Sequence, residues 1–224
     1  GPIGNKIKIL LDIESSGSTV EILQADVADQ NQMQNIFDYI SKNYGKLNGI
    51  VHMAGNPGHG VAMLKSLDDV KNVVKPKILG TMILDSYVTK NKLDFFILFS
   101  SVTSVVPEAG QTDYASANSF LNSYAQQKIN FETPVMSICW PAWTQTGMAV
   151  HHNVDFEKEL FVPLSTKKAI AAFFMLLTKK ASVIIPSFIN DYKIDKEQRI
   201  FDVDFISTET DNGIHVDEDE NKSS

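Results

Sequence analysis

The sequence predicts an α/β fold in which a doubly wound parallel sheet carries helices on both faces. Short apolar runs of strand length recur at residues 47–53, 95–99, 134–140 and 183–185. Continuous apolar runs of that kind suit strands covered on both faces. Segments with apolar residues at helical spacing stand between them. Alternation of the two element types favours parallel strands joined by helical crossovers. The run at 95–99 stops at two hydroxyls, Ser100 and Ser101, and the following helical pattern opens with Tyr114. Strand and helix thereby deliver a serine and a tyrosine to the carboxyl edge of the sheet, where open α/β sheets bind ligands.

The elements follow in order. Residues 6–14 read as a short helix, with Ile7, Leu10, Leu11 and Glu14 at helical spacing and Ser15-Ser16-Gly17 as its stop. Val20 and Ile22 mark a strand that ends at Gln24-Ala25-Asp26. Asp29 with Gln32 has the form of a capping box. Met33, Ile36, Phe37 and Ile40 form the buried stripe of the helix it starts, which stops near Tyr44-Gly45. The run at 47–53 leads into Ala54-Gly55-Asn56-Pro57-Gly58, a glycine-rich loop. Ser66 and Asp69 form a second capping box; their helix is expected to break at Pro76 and resume through Ile78, Leu79, Met82, Ile83 and Tyr87. After the central strand, Pro107 and Gly110 mark a loop. Ala117, Phe120, Leu121, Tyr124 and Ala125 then share one face with Tyr114. The strand at 134–140 runs into Pro141-Ala142-Trp143-Thr144-Gln145-Thr146-Gly147-Met148. Residues 149–163 lack a period and are expected to form a lid. A helix at 166–179 and a strand at 183–185 close the pattern. Residues 1–186 thus form one domain, and 187–224 an irregular extension whose last part, from Asp211, reads as a solvated acidic tail or linker.

Composition narrows the function. The formal net charge of -7 argues against a general nucleic-acid surface. The single cysteine, Cys139, lies in an apolar run; it reads as an inert core thiol and fits a reducing cytoplasm. No apolar run has the length of a membrane span, and none reads as a signal peptide. His52 reads as a satisfied core histidine. His59, His151 and His152 have no partners at metal-ligand spacing, so no metal site is expected.

Several fragments, in order and at fitting distances, resemble the ketoreductase domain of modular polyketide synthases, a branch of the short-chain dehydrogenase/reductase superfamily. They are Gln24-Ala25-Asp26-Val27, Gly49-Ile50-Val51-His52-Met53-Ala54-Gly55, Pro76-Lys77-Ile78-Leu79-Gly80, Leu98-Phe99-Ser100-Ser101-Val102, Gly110-Gln111-Thr112-Asp113-Tyr114-Ala115-Ser116-Ala117-Asn118, and Trp140-Pro141-Ala142-Trp143. The resemblance spans roughly residues 4–186 and implies a Rossmann-like fold. It implies reduction by NADPH of a β-ketoacyl group held on an acyl carrier protein, beside the other domains of a synthase. Tyr114 is then the proton donor, and Ser101 holds the carbonyl oxygen. A phenol with a reference pKa of about 10 needs a nearby cation to act near neutrality. Ordinary superfamily members place a lysine four residues after the tyrosine. Here Asn118 occupies that place, there to align the lysine or a proton-relay water, and Lys77 supplies the ammonium from the preceding helix, the exchange that marks the synthase ketoreductases. For the cofactor, the resemblance assigns Asp26 to the adenine amino group and Val27 to the ring. It assigns Ala54 and Gly55 to the ribose, and Pro141 and Thr146 to the nicotinamide.

The pattern also departs from the family. The Gly-x-Gly-x-x-Gly fingerprint and the first two strands of the full fold are absent, so the chain is expected to be the C-terminal part of a larger domain that binds NADPH poorly by itself. Strands at Val20 and Ile50 would flank a gap or pair directly. The family's markers of alcohol configuration are not in place: Pro57-Gly58-His59 replaces the expected Asp-Asp pair, Asp68-Asp69 falls later and caps a helix, and Val106 stands at the tryptophan position. Two other readings compete: an idle structural or docking fragment of a synthase, and a free-standing short-chain reductase. The presence of Lys77, Ser101, Tyr114 and Asn118 opposes the first. The Tyr-x-x-x-Asn spacing and the acidic tail oppose the second.

Overall fold

In the computed structural model, residues 2–58, 60–151 and 156–190 are described. Four parallel strands form one sheet in the order β1 (Gly49–His52), β2 (Phe95–Ser101), β3 (Val135–Trp140) and β4 (Val183–Ile184). The helices are α1 (Pro2–Ser15), α2 (Gln30–Tyr44), α3 (Leu67–Val88), α4 (Thr112–Gln127), the single turn α5 (Met148–His151) and α6 (Thr166–Leu176).

Side-chain alternation along the strands sorts the core into two layers. Phe96 and Leu98 of β2 and Val135 of β3 pack with Phe37, Leu84, Val88, Leu121 and Tyr124 from α2, α3 and α4. Ile97 of β2 and Met136, Ile138 and Trp140 of β3 belong to the other layer, with Ala169 and Leu176 of α6. Both faces of β2 and β3 are thus covered, as their uninterrupted apolar runs require. Two helices on the first layer are also tied by polar groups. Tyr124 of α4 donates to Asp85 of α3 at 2.6 Å, and Lys128 pairs with the same carboxylate at 2.9 Å. That tie fixes α4 against α3, the two helices that carry Tyr114 and Lys77.

Three expectations change. The segment around Val20 and Ile22 joins no sheet and has no regular secondary structure. Alternation can mark a strand, but a strand exists only beside a partner, and among the described residues β1 pairs with β2 alone. Strands near Val20 and Ile50 therefore do not pair directly. Asp29 caps α2 through Asn31 N and Gln32 N, yet Gln32 reaches back to Asp26 N, so the reciprocal box is not closed. The box at Ser66 and Asp69 is complete.

The third change is the largest. Helix α3 runs unbroken through Pro76. Proline has no N–H for the carbonyl four residues back, here Asn72. The side chain of Asn56, from the loop after β1, donates to that carbonyl at 2.9 Å. A loop residue thus replaces the missing helical bond and pins the loop to the helix. The periodless stretch 149–163 holds most of α5 and a 3₁₀ turn at Phe156–Lys158, with residues 152–155 outside the described set; the acidic tail lies outside it too. Helix α1 forms as expected, but Ile7, Ile9 and Leu11 are all more than half exposed.

The substitution Asn56→Ala is expected to cost about 1 kcal/mol, the usual net worth of such a bond. In the double variant Asn56→Ala/Pro76→Ala the new backbone amide can take over Asn72 O, so the loss from removing Asn56 should shrink to near zero. Urea unfolding of the parent, the two single variants and the double variant checks this; an undiminished cost in the Pro76→Ala background would contradict it.

Candidate active site

The carboxyl ends of β2 and β3 meet at the pair Ser101 and Trp140. Above them lies a cleft of about 410 Å³, lined among others by Lys77, Ser101, Tyr114, Trp140, Pro141 and Thr146. Four elements supply it. Strand β2 ends at Ser101, whose hydroxyl accepts from Thr103 N and so caps the 3₁₀ turn Val102–Ser104. Helix α4 brings Tyr114 to the cleft within its first turn. Helix α3 brings Lys77 from below. Strand β3 ends in Trp140, followed by Pro141.

Lys77 is 3% exposed. Its ammonium donates to Phe99 O at 2.7 Å and stands 5.9 Å from the centre of the Tyr114 ring. Burial lowers its pKa to about 8. Glycine at position 55 leaves room for this side chain: a Cβ there would lie 2.8 Å from Lys77 Cε and require the lysine to shift. Burial raises the Tyr114 phenol above its usual value, and side-chain hydrogen bonds with Asn118 and Ser101 offset only part of that rise. Asn118 is fully buried; its amide donates to Tyr114 O at 2.9 Å, and its Oδ1 has no partner among the described residues. The arrangement is a phenol with a hydroxyl on one side and a cation beneath, open to a cleft.

Lys77, Ser101 and Tyr114 thus line one cleft, with Asn118 one helical turn behind the tyrosine. Pro141 and Thr146 line the same cleft. The others do not line it. Asp26 is exposed, and its Oδ1 accepts from Ala28 N at 2.9 Å. Val27 packs against α3 at Gly80, where a Cβ would meet it at 2.9 Å. Ala54 is exposed beyond β1, and Gly55 abuts Lys77. His52 is buried as expected of a core histidine but not satisfied, its Nε2 having no partner among the described residues; burial first, then the Lys77 charge, lower it to about 4, so it is neutral at pH 7. Cys139 is fully buried, and burial pushes its thiol up.

Sequence reasoning missed Lys65. It pairs with Asp113 at 2.6 Å in a nearly dry setting, next to Tyr114. Asp113 lies inside a recognised fragment, but nothing in spacing links it to a residue 48 positions away.

Among the described residues no helix is long and apolar enough to cross a membrane. A family model described as the KR domain matches residues 4–145. The chain is 33% identical over 192 residues to polyketide synthase PksN of Bacillus subtilis (strain 168), covering 81% of this chain and 4% of that protein. With erythronolide synthase EryA2 of Saccharopolyspora erythraea it shares 30% identity over 182 residues, 80% of this chain and 5% of that one. The chain thus spans only a small part of these relatives' length. Among solved structures, a ketoreductase domain from the bacillaene assembly line aligns at a TM-score of 0.74 and 30% identity, over 81% of this chain and 46% of that one. An N-terminal ketoreductase from the macrolactin assembly line aligns at 0.70 and 31%, over 80% and 36%. The family uses a nicotinamide cofactor. The matched span, the parallel sheet and these likenesses agree, and the chain belongs to the KR domain family, the ketoreductases of polyketide synthases within the short-chain dehydrogenase/reductase superfamily.

Proposed function

We propose that this chain reduces a β-ketoacyl group, carried on the phosphopantetheine arm of an acyl carrier protein, to the β-hydroxyacyl group, with NADPH as reductant. It does so as the catalytic part of a ketoreductase domain, residues 1–186, within a cytoplasmic synthase, with residues 187–224 outside that part. One observation carries the reading. Lys77 is a buried ammonium held by a backbone carbonyl beneath Tyr114. A brace has no use for a costly buried charge, whereas a phenol that must give up its proton does.

The chemistry follows from the side chains. NADPH, when bound, would supply the hydride for the carbonyl carbon. Ser101 and Tyr114 meet the ketone oxygen as the C=O electron pair moves onto it. Tyr114 gives its proton to that oxygen, and the alcohol leaves. Lys77 lowers the cost of the phenolate left behind, and Asn118, one turn away, holds the Tyr114 backbone in place. Pro141 and Thr146, which line the cleft, would hold the nicotinamide end. Away from this cleft, the resemblance assigns Ala54 and Gly55 to a loop small enough for backbone to approach the ribose, and Asp26 with Val27 to the adenine end.

Tyr114→Phe, made in the intact synthase, keeps the ring and removes the proton. It is expected to lower kcat about 10²-fold or more with little change in KM, as loss of a general acid does. Retained reduction of a β-ketoacyl thioester would favour the structural-fragment reading.

Lys77→Met tests the charge itself. The folded chain keeps an ammonium whose pKa falls from 10.5 to about 8, a destabilisation on the order of 3 kcal/mol. By linkage, that penalty is fully present below about pH 8. It fades as pH climbs toward 10.5, because only the unfolded chain still holds the proton in that window. Lys77→Met should therefore melt about 3 °C or more above the parent at pH 7. The difference should shrink by about pH 10, while reduction is lost at both. A melting point at pH 7 below the parent's would contradict it.

A further inference from the structure

Lys65 and Asp113 form an ion pair with both side chains 5% exposed or less. Desolvation offsets most of the attraction in such a pair, so stability alone is a weak reason for it. Asp113 Oδ2 even lacks a partner among the described residues.

Its surroundings say what it holds. Helix α4 begins at Thr112, and its cap residue Gln111 makes no side-chain capping bond. The helix that carries Tyr114 is therefore not fastened by its own cap. Lys65 fastens it from outside: beside Asp113 Oδ1 at 2.6 Å, the ammonium donates to Gly110 O at 3.2 Å. Asp113 Oδ1 also accepts from Tyr114 N at 2.9 Å. Lys65 in turn precedes Ser66, the cap of α3. The clamp thus joins the start of the helix bearing Lys77 to the start of the helix bearing Tyr114. Gly58 presses on the same turn; a Cβ there would lie 2.4 Å from Asp113 Oδ1 and 3.2 Å from Tyr114 Cβ.

We propose that Lys65 and Asp113 are a positioning pair that sets Tyr114 relative to Ser101 and Lys77 without touching the reacting atoms. This rests on the reading of Tyr114 as the proton donor. A misplacement of about 1 Å costs about 10²-fold in rate, so a clamp on this one turn has a direct catalytic consequence.

Three variants test it: Lys65→Gln/Asp113→Asn, uncharged and nearly isosteric; Asp113→Glu, which keeps the charge and lengthens the clamp by one methylene; and Lys65→Arg. Amide hydrogen exchange of this chain needs no cofactor. Amides at 112–116 should exchange about tenfold faster or more in the neutral pair, with β2 and β3 unchanged. In the intact synthase, kcat should fall about tenfold or more in both Asp113 variants with KM within about threefold, whereas Lys65→Arg stays near the parent. Unchanged exchange at the start of α4 overturns the clamp. A parental kcat in Asp113→Glu overturns the positioning role, and that variant decides the matter if the neutral pair does not fold. A result in which Tyr114→Phe is inactive but Asp113→Glu is not would remove the clamp and leave the proton donor standing.

Discussion

A lysine ammonium buried against a backbone carbonyl is the constraint around which the rest arranges itself. Water would hold that charge far better than the interior does, and the lowered pKa records the difference. Its neighbourhood is shaped to tolerate it. Phe99 O receives it at 2.7 Å. Gly55 leaves the room its side chain needs. Helix α3 continues through Pro76, one residue before the lysine, because Asn56 supplies the missing donor. Without that continuity the lysine would have no fixed rail to approach from.

The sheet serves the same end from the other direction. Strands β2 and β3 are buried on both faces and end together, so Ser101 and Trp140 sit on rigid backbone at one edge. The tyrosine sits on a helix start that its own cap does not secure, which is why outside contacts matter there. The Asp85–Tyr124–Lys128 tie holds α3 against α4 further along their length. Serine is thus placed by a strand tip, lysine by mid-helix, and tyrosine by contacts at both ends of its helix. In contrast β1 has a partner on one side only among the described residues, with Val51 within it and Met53 just beyond it exposed.

Much of this was legible in the residues, for physical reasons that differ by element. Helices α2 and α4 and strands β2 and β3 announce themselves through apolar period, because one face or both must be buried. The box at Ser66 and Asp69 is local, so it can be read locally. Pro76 misled because the group that rescues the helix stands about twenty residues earlier, and no pattern links Asn56 to Asn72. Val20 and Ile22 misled because alternation reports capacity to pair, not the presence of a neighbour. At the site, Ser101, Tyr114 and Asn118 come as one stretch of chain, and Lys77 came with a resemblance. Lys65 did neither. Its role depends on two segments meeting in space, and a lone lysine before a cap reads as a surface residue.

Lys77 carries a proton that it holds only weakly in the folded chain, and the roles assigned around Tyr114 depend on it. Titration of the folded chain by NMR, with lysine side chains isotopically labelled and Lys77 assigned by substitution, measures this directly. One lysine is expected to titrate near pH 8, apart from the others. A Lys77 that titrates with the surface lysines, near 10.5 or above, would contradict it.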